Sequence, residues 1–196
     1  MALKTKGGIN IVGKEAYVHP LELEDLEFLI KMIANTSHKG SDIGMVIKVT
    51  EKLKKELLAH LLEYNKVITQ WKNVKPYITQ SWLNFTRTDE YHHIHEHPNS
   101  MISGVLYVNA NPENDMIRFF NNCYKRIKPE TKNWNLYNSE SWWYPVTSGD
   151  LLLFPSELTH KVDVKKGDNL RISLAFNSFV KGVLGDRKKI SELEII

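Results

Sequence analysis

The chain has 196 residues, 42% hydrophobic and 25% charged, with a net charge of +3. That length fits one domain with a single good core, and that composition excludes a disordered chain, a coiled coil or a collagen. The lysines are scattered and form no basic block, so a nucleic-acid surface is not expected.

The first residues, Met1 to Asn10, lack the apolar run of a signal peptide, and no stretch approaches the ~20 apolar residues needed to span a bilayer. Cys123 is the only cysteine, so no internal disulfide can form and a reducing, cytoplasmic setting is expected. From Leu21 to about Ala34, apolar residues recur at helical spacing: Leu23, Leu26, Leu29, Ile30 and Ile33. A second helical run follows Thr50, a candidate N-cap, with Leu53, Leu57, Leu58, Leu61, Leu62, Val67 and Trp71 spaced by threes and fours. The spacing predicts a mainly helical part over 1–76, packed as a cover on a sheet through a leucine stripe.

After Pro76 the texture changes to strands. Tyr77–Arg87, Met101–Asn109, Met116–Asn121, Asp150–Phe154, His160–Val164 and Leu170–Val180 are short and rich in β-branched or aromatic residues. Asn111-Pro112, Ser148-Gly149 and Gly167-Asp168-Asn169 separate them as turns. Helices first and then six or more strands predict an α+β fold, a jelly roll with N-terminal covering helices, in a single domain over 1–196. Its core is expected over 77–180, with 181–196 as a C-terminal tail whose apolar end can pack on a partner, leaving a homodimer open.

Four of the eight histidines fall within His92-His93-Ile94-His95-Glu96-His97. Strand alternation would point His93, His95 and His97 one way, and His92, Ile94 and Glu96 the other. A His-x-His pair on a strand can offer two imidazoles to one metal, without naming which metal. A surface histidine patch would look the same locally. His160, which follows the break Pro155-Ser156, is the distant residue that can complete such a site when a jelly roll brings remote strands together.

Arg171 comes eleven residues after His160, in Arg171-Ile172-Ser173-Leu174-Ala175-Phe176-Asn177. Alternation sets Arg171, Ser173, Ala175 and Asn177 on one face. A guanidinium inside a barrel needs an anionic partner, either a ligand carboxylate or an Asp or Glu on a nearby strand.

In this order the residues resemble the 2-oxoglutarate- and Fe(II)-dependent oxygenases of the jelly-roll, or double-stranded β-helix, superfamily. The resemblance runs from Ser81-Trp82-Leu83-Asn84 through His95-Glu96-His97-Pro98-Asn99-Ser100 and Ser103-Gly104-Val105-Leu106-Tyr107-Val108. It continues through Gly149-Asp150, Phe154-Pro155-Ser156 and His160-Lys161-Val162 to Arg171-Ile172-Ser173 and Phe176-Asn177.

The resemblance implies Fe(II) as the metal and 2-oxoglutarate as cosubstrate, with hydroxylation of a small-molecule or peptidyl substrate as the usual outcome. Carried over by position, the metal ligands are His95, His97 and His160. Arg171 and Ser173 hold the distal carboxylate of 2-oxoglutarate, and Asn84 and Tyr107 face the same pocket. One departure stands out: the family's usual carboxylate ligand is replaced by His97. Glu96 could take that role only if a bulge turned it inward, Asp163 is a further candidate, and a register shift of two would bring in His93. Trp142-Trp143-Tyr144 could line a substrate mouth, and Asn122-Cys123 with Lys128 to Glu140 reads as a long loop.

Two other functions share part of this pattern. A cupin-like metalloenzyme working without 2-oxoglutarate would tolerate three histidines but gives Arg171 no task. A non-catalytic jelly-roll module could hold a zinc ion on the same histidines.

Overall fold

A computed structural model describes residues 7–11, 14–20, 45–46, 51–121, 127 and 129–196. The strands are β1 (Gly7–Ile11), β2 (Lys14–Pro20), β3 (Met45–Val46), β4 (Val74–Thr86), β5 (His92–His95) and β6 (Ile102–Asn109). They continue with β7 (Met116–Phe120), β8 (Ser141–Pro145), β9 (Asp150–Pro155), β10 (His160–Val162), β11 (Arg171–Leu184) and β12 (Leu193–Ile195). Among the described residues one α-helix, α1 (Glu51–Tyr64), precedes β4.

Two antiparallel sheets face each other. The larger runs β1-β2-β9-β6-β11-β4-β3, with β12 on β11; the smaller runs β5-β10-β7-β8. This is the double-stranded β-helix that the strand order predicts.

The larger sheet is covered on both faces, which explains why β9 is an unbroken apolar run rather than an alternating one. Leu151 and Leu153 pack into the cluster under α1, while Leu152 and Phe154 pack into the cluster between the sheets; all four are fully buried. From α1 come Leu53, Leu57, Leu61 and Tyr64, one face at helical spacing, each contributing about 1.5–3 kcal/mol by burial. Leu62 and Val67 stay exposed, so the stripe is narrower than the sequence suggests. The helix also stops sooner. A single π turn, Asn65–Thr69, follows it, and left-handed Gln70 closes the segment by donating to Asn65 O. Asn65 Oδ1 accepts from Thr69 Oγ1 and from Trp71 N, giving the chain an alternative to further helix.

The expected helix over Leu21–Ala34 and the Thr50 cap lie outside the described residues, as do Asn122 and Cys123. The N-terminal part is not only helical cover: β2 pairs with β9 and widens the sheet by two strands. The C-terminal segment also differs from a tail. β11 runs on to Leu184, and β12 folds back onto it. No helix among the described residues is long and apolar enough to cross a membrane.

Gly104, in the middle of β6, sits against the Phe176 ring on β11. A Cβ there would lie 2.1 Å from Phe176 Cζ, a contact no side chain can make. Gly104→Ala is expected to lower stability by about 1–3 kcal/mol, read as a shift in the urea midpoint at unchanged slope. An unchanged midpoint would mean that Phe176 has room to move.

Candidate metal centre

The inner face of the larger sheet carries the site in rows across three neighbouring strands. Asn84 on β4 and Tyr107 on β6 flank Ser173 on β11; one row further, Trp82 and Val105 flank Ala175. Arg171 stands opposite Thr86 at one end, and Asn177 opposite Gln80 and Ser103 at the other. The smaller sheet supplies the histidines. His160, the first residue of β10, is paired with His95 on β5 and Phe119 on β7.

All seven residues singled out by sequence, His95, His97, His160, Arg171, Ser173, Tyr107 and Asn84, line one cavity. His95, His97 and His160 each bring a ring nitrogen within 4.8 Å of the others. His97 Nε2 lies 3.2 Å from His95 Nε2 and 3.2 Å from His160 Nε2. Their Nδ1 atoms all point outward to acceptors: His95 to His93 O at 2.8 Å, His160 to Leu158 O at 2.8 Å, and His97 to Asn177 Oδ1 at 2.6 Å. A carbonyl oxygen only accepts, so each Nδ1 carries the proton and each Nε2 is left with a bare lone pair. Three lone pairs facing one another at this distance repel unless a cation lies among them. Nitrogens on one ion at about 2.0–2.3 Å are separated by about this much, and the outward bonds are those that orient metal-binding imidazoles.

Burial discourages the alternative cation, a proton. It lowers His95 and His97 below the usual imidazole range and takes His160 down to about 3 and His92 to about 4. Neighbouring histidines add to the effect on His160 and His92. Between about pH 6.5 and those values the unfolded chain takes up protons that the folded site refuses, so stability is lost as the pH is lowered. The metal-free protein is expected to melt at a clearly lower temperature at pH 5 than at pH 7.5, with a shallower slope for His160→Gln. A flat profile in the wild type would contradict this burial.

The carboxylates are occupied elsewhere. Glu96 turns away and accepts from the Thr159 hydroxyl, while Asp163 is paired with Arg118 at 2.8 Å and Lys161 at 2.7 Å. No Asp or Glu among the described residues lines the cavity.

His92 departs from the alternation rule. A bulge in the β5–β10 pairing matches His95 to His160 but His92 to Val162, and this turns His92 into the cavity while His93 remains exposed. His93 joins a second trio with His92 and His95, again within 4.8 Å.

At the other end Arg171 is 4% exposed, and its Nε has no hydrogen-bond partner. Its guanidinium lies 5.9 Å from the centroid of the Tyr107 ring, and among the described residues it forms no ion pair. Asp115, which lines a neighbouring pocket with Arg171, is taken by buried Lys165 at 3.5 Å. Among the described residues the internal salt bridge that the sequence left open is therefore absent, and a buried cation faces the cavity without an anion from them. Burial pushes the Tyr107 phenol up to about 12, with Arg171 opposing it, so Tyr107 stays a neutral donor beside it. A dianion with one carboxylate for Arg171 and two oxygens for the metal matches both ends.

Sequence reasoning passed over three residues of this site. Asn177 shares the face of Arg171 by simple alternation, a signal that was available. Trp82 stacks on His97 with ring centroids 5.7 Å apart, and His92 depends on the bulge; neither leaves a local mark. Of the aromatic trio, Trp142 and Tyr144 pack towards the inter-sheet core, and Trp143 lies outside under Arg118.

Comparison with known proteins agrees. Residues 80–177, half of the chain, match the family model described as "Putative 2OG-Fe(II) oxygenase". No curated protein matches the sequence. Among solved structures, HygX from Streptomyces hygroscopicus, with nickel and 2-oxoglutarate bound, is similar at 13% identity and TM-score 0.57, covering 86% of this chain and 83% of its own. HygX has also been solved with hygromycin B bound. A prolyl-4-hydroxylase from Pseudomonas putida is similar at 16% identity and TM-score 0.55, with 83% of each chain covered. The strand order, the convergent histidines and the unpaired arginine coincide with the span of the family match, and the chain belongs to the 2-oxoglutarate- and Fe(II)-dependent oxygenases.

Proposed function

We propose that the chain hydroxylates a small-molecule or peptidyl substrate, holding Fe(II) on His95, His97 and His160 and 2-oxoglutarate on Arg171, Ser173, Tyr107 and Asn84. The observation that carries the assignment is the buried, unpaired Arg171 at the opposite end of a cavity from three bare imidazole nitrogens.

Each residue has a task that its chemistry suits. The planar Arg171 fork takes the distal carboxylate in two parallel bonds, and the Ser173 hydroxyl and Tyr107 phenol donate to it. Asn84, beside Ser173, offers an amide to the same ligand. The three imidazoles stay neutral, so they bind a divalent ion without first losing protons. When bound, Fe(II) and 2-oxoglutarate together turn dioxygen into an oxidant able to take hydrogen from carbon, releasing succinate and carbon dioxide. The apolar walls, Val105, Ile117, Val162 and Ala175, keep water from that chemistry.

The substrate class is supported by HygX, solved with hygromycin B, and by the prolyl-4-hydroxylase. The scattered surface charge favours a small or peptidyl substrate over nucleic acid, and a cytoplasmic setting suits the single thiol. Exposed Ile190, Leu193 and Ile196 support pairing of two copies through the C-terminal end.

The test is succinate formation. Purified protein with Fe(II), 2-oxoglutarate and air should release succinate slowly without substrate and faster with the right one. Iron-loaded protein that makes no succinate and binds no 2-oxoglutarate would favour a cupin-like enzyme or a zinc module instead.

A further inference from the structure

His97 stands beyond the end of β5, where no ladder bond fixes it, yet it is held on three sides. Its backbone N–H donates to Ser156 O at 3.0 Å, Trp82 stacks on its ring with planes 28° apart, and its Nδ1–H donates to Asn177 Oδ1 at 2.6 Å. An amide can turn either its oxygen or its nitrogen to a neighbour. With His97 Nε2 turned to the other two imidazoles its proton sits on Nδ1, so the amide presents its oxygen, and the Ser103 hydroxyl lies 3.2 Å from the same Oδ1.

Ser103 in turn is 2.8 Å from Ser156 Oγ, which is 2.7 Å from Ser100 Oγ. Ser100 closes the file on Ser178 O at 3.1 Å. Ser103 and Ser156 are fully buried. Each hydroxyl has one proton, so Ser103 gives its own either to Ser156 or to the Asn177 oxygen, and the file packs that amide against one imidazole. A bulge in β11 between Asn177 and Ser178 sets the Asn177 side chain at this point.

An amide oxygen accepts the Nδ1 proton without drawing it off, as a carboxylate would. We propose that Asn177, packed against the buried file Ser103–Ser156–Ser100, is the positioning residue that commits the third metal position to a neutral imidazole. The bound ion then keeps its full double positive charge for the incoming 2-oxoglutarate dianion. This deepens the ligand assignment made above and rests on it.

The experiment titrates the metal-free full chain with Co(II), following its visible absorption bands, in wild type, Asn177→Ala, Asn177→Asp, Ser103→Ala and His97→Ala. Asn177→Ala is expected to bind Co(II) about 10–100-fold more weakly, with altered bands. Asn177→Asp should restore the affinity, with bands displaced from the wild type because a carboxylate makes His97 a more basic ligand. Ser103→Ala, the milder change, should weaken binding about 3–10-fold and serves if circular dichroism shows Asn177→Ala unfolded. Wild-type affinity and bands in both Asn177→Ala and Ser103→Ala, with His97→Ala impaired, would overturn the role of Asn177 alone. Unimpaired Co(II) binding by His97→Ala would instead remove the ligand assignment, and this proposal with it.

Discussion

Replacing Arg171 with methionine is expected to weaken 2-oxoglutarate binding by at least about 30-fold while leaving the metal-free protein at least as stable as the wild type. The two effects have opposite signs because the guanidinium is buried and, among the described residues, has no anionic partner. In the empty protein it is a desolvated charge, and methionine replaces its apolar stem, ending near the position of Nε, without that penalty. In the complex it is half of a charge-assisted pair, and truncating one half of such a pair costs about 2–5 kcal/mol. That corresponds to roughly 30- to 5,000-fold in affinity.

Anaerobic titration of the Fe(II)-loaded variant should therefore need at least about 30-fold more 2-oxoglutarate than the wild type to develop the weak visible band of the chelate. Thermal melting of the metal-free variant should show an equal or higher midpoint. A wild-type titration curve in the variant would mean that another group binds the distal carboxylate.

The second large effect is expected at His160. Its ring is 4% exposed and packs edge-on against Phe154, with centroids 4.9 Å apart. His160→Ala removes one of the three converging nitrogens and leaves a ring-sized hollow. Loss of a direct ligand should exceed the 10–100-fold typical of outer partners, so Fe(II) affinity is expected to drop more than about 100-fold. The hollow makes the result checkable a second way, because free imidazole fits it and should restore part of the binding. Residual, easily exchanged metal is expected on the second trio, His92, His93 and His95, which this change leaves intact. Tight binding by His160→Ala without added imidazole would show that the converging trio is not the metal centre.

Much of this was legible in the sequence because the chemistry-bearing residues lie on strands with clear alternation. The Arg171-x-Ser173 face, the apolar runs of β6 and β9 and the break before His160 each have a local cause. What stayed hidden depends on distant pairing. The strands β1 and β2 read as nothing in particular, since β2 becomes a strand by pairing with β9 more than a hundred residues away. His92 enters the cavity through a bulge, which alternation cannot foresee. The hold on His97 joins residues 80 positions apart. The early end of α1 was hidden for the opposite reason: its cause is local, the Asn65 side chain competing for backbone donors, but the apolar spacing continues past it.

The run His92-His93-Ile94-His95-Glu96-His97 has a consequence for how the protein is made. Its histidines are neighbours in the chain before any sheet exists, whereas His160 joins them only after β10 has docked between β5 and β7. The unfolded chain therefore already owns a loose metal claw, and metal bound there stabilises the unfolded state as well as the native one. Closing the β5–β10 and β4–β11 pairings is slow for an antiparallel barrel of such long-range contacts. Metal present early can seize the claw in the wrong geometry and delay that closure. Refolding in chelator, with iron added after the barrel has formed, should give the faster and cleaner return to the native state.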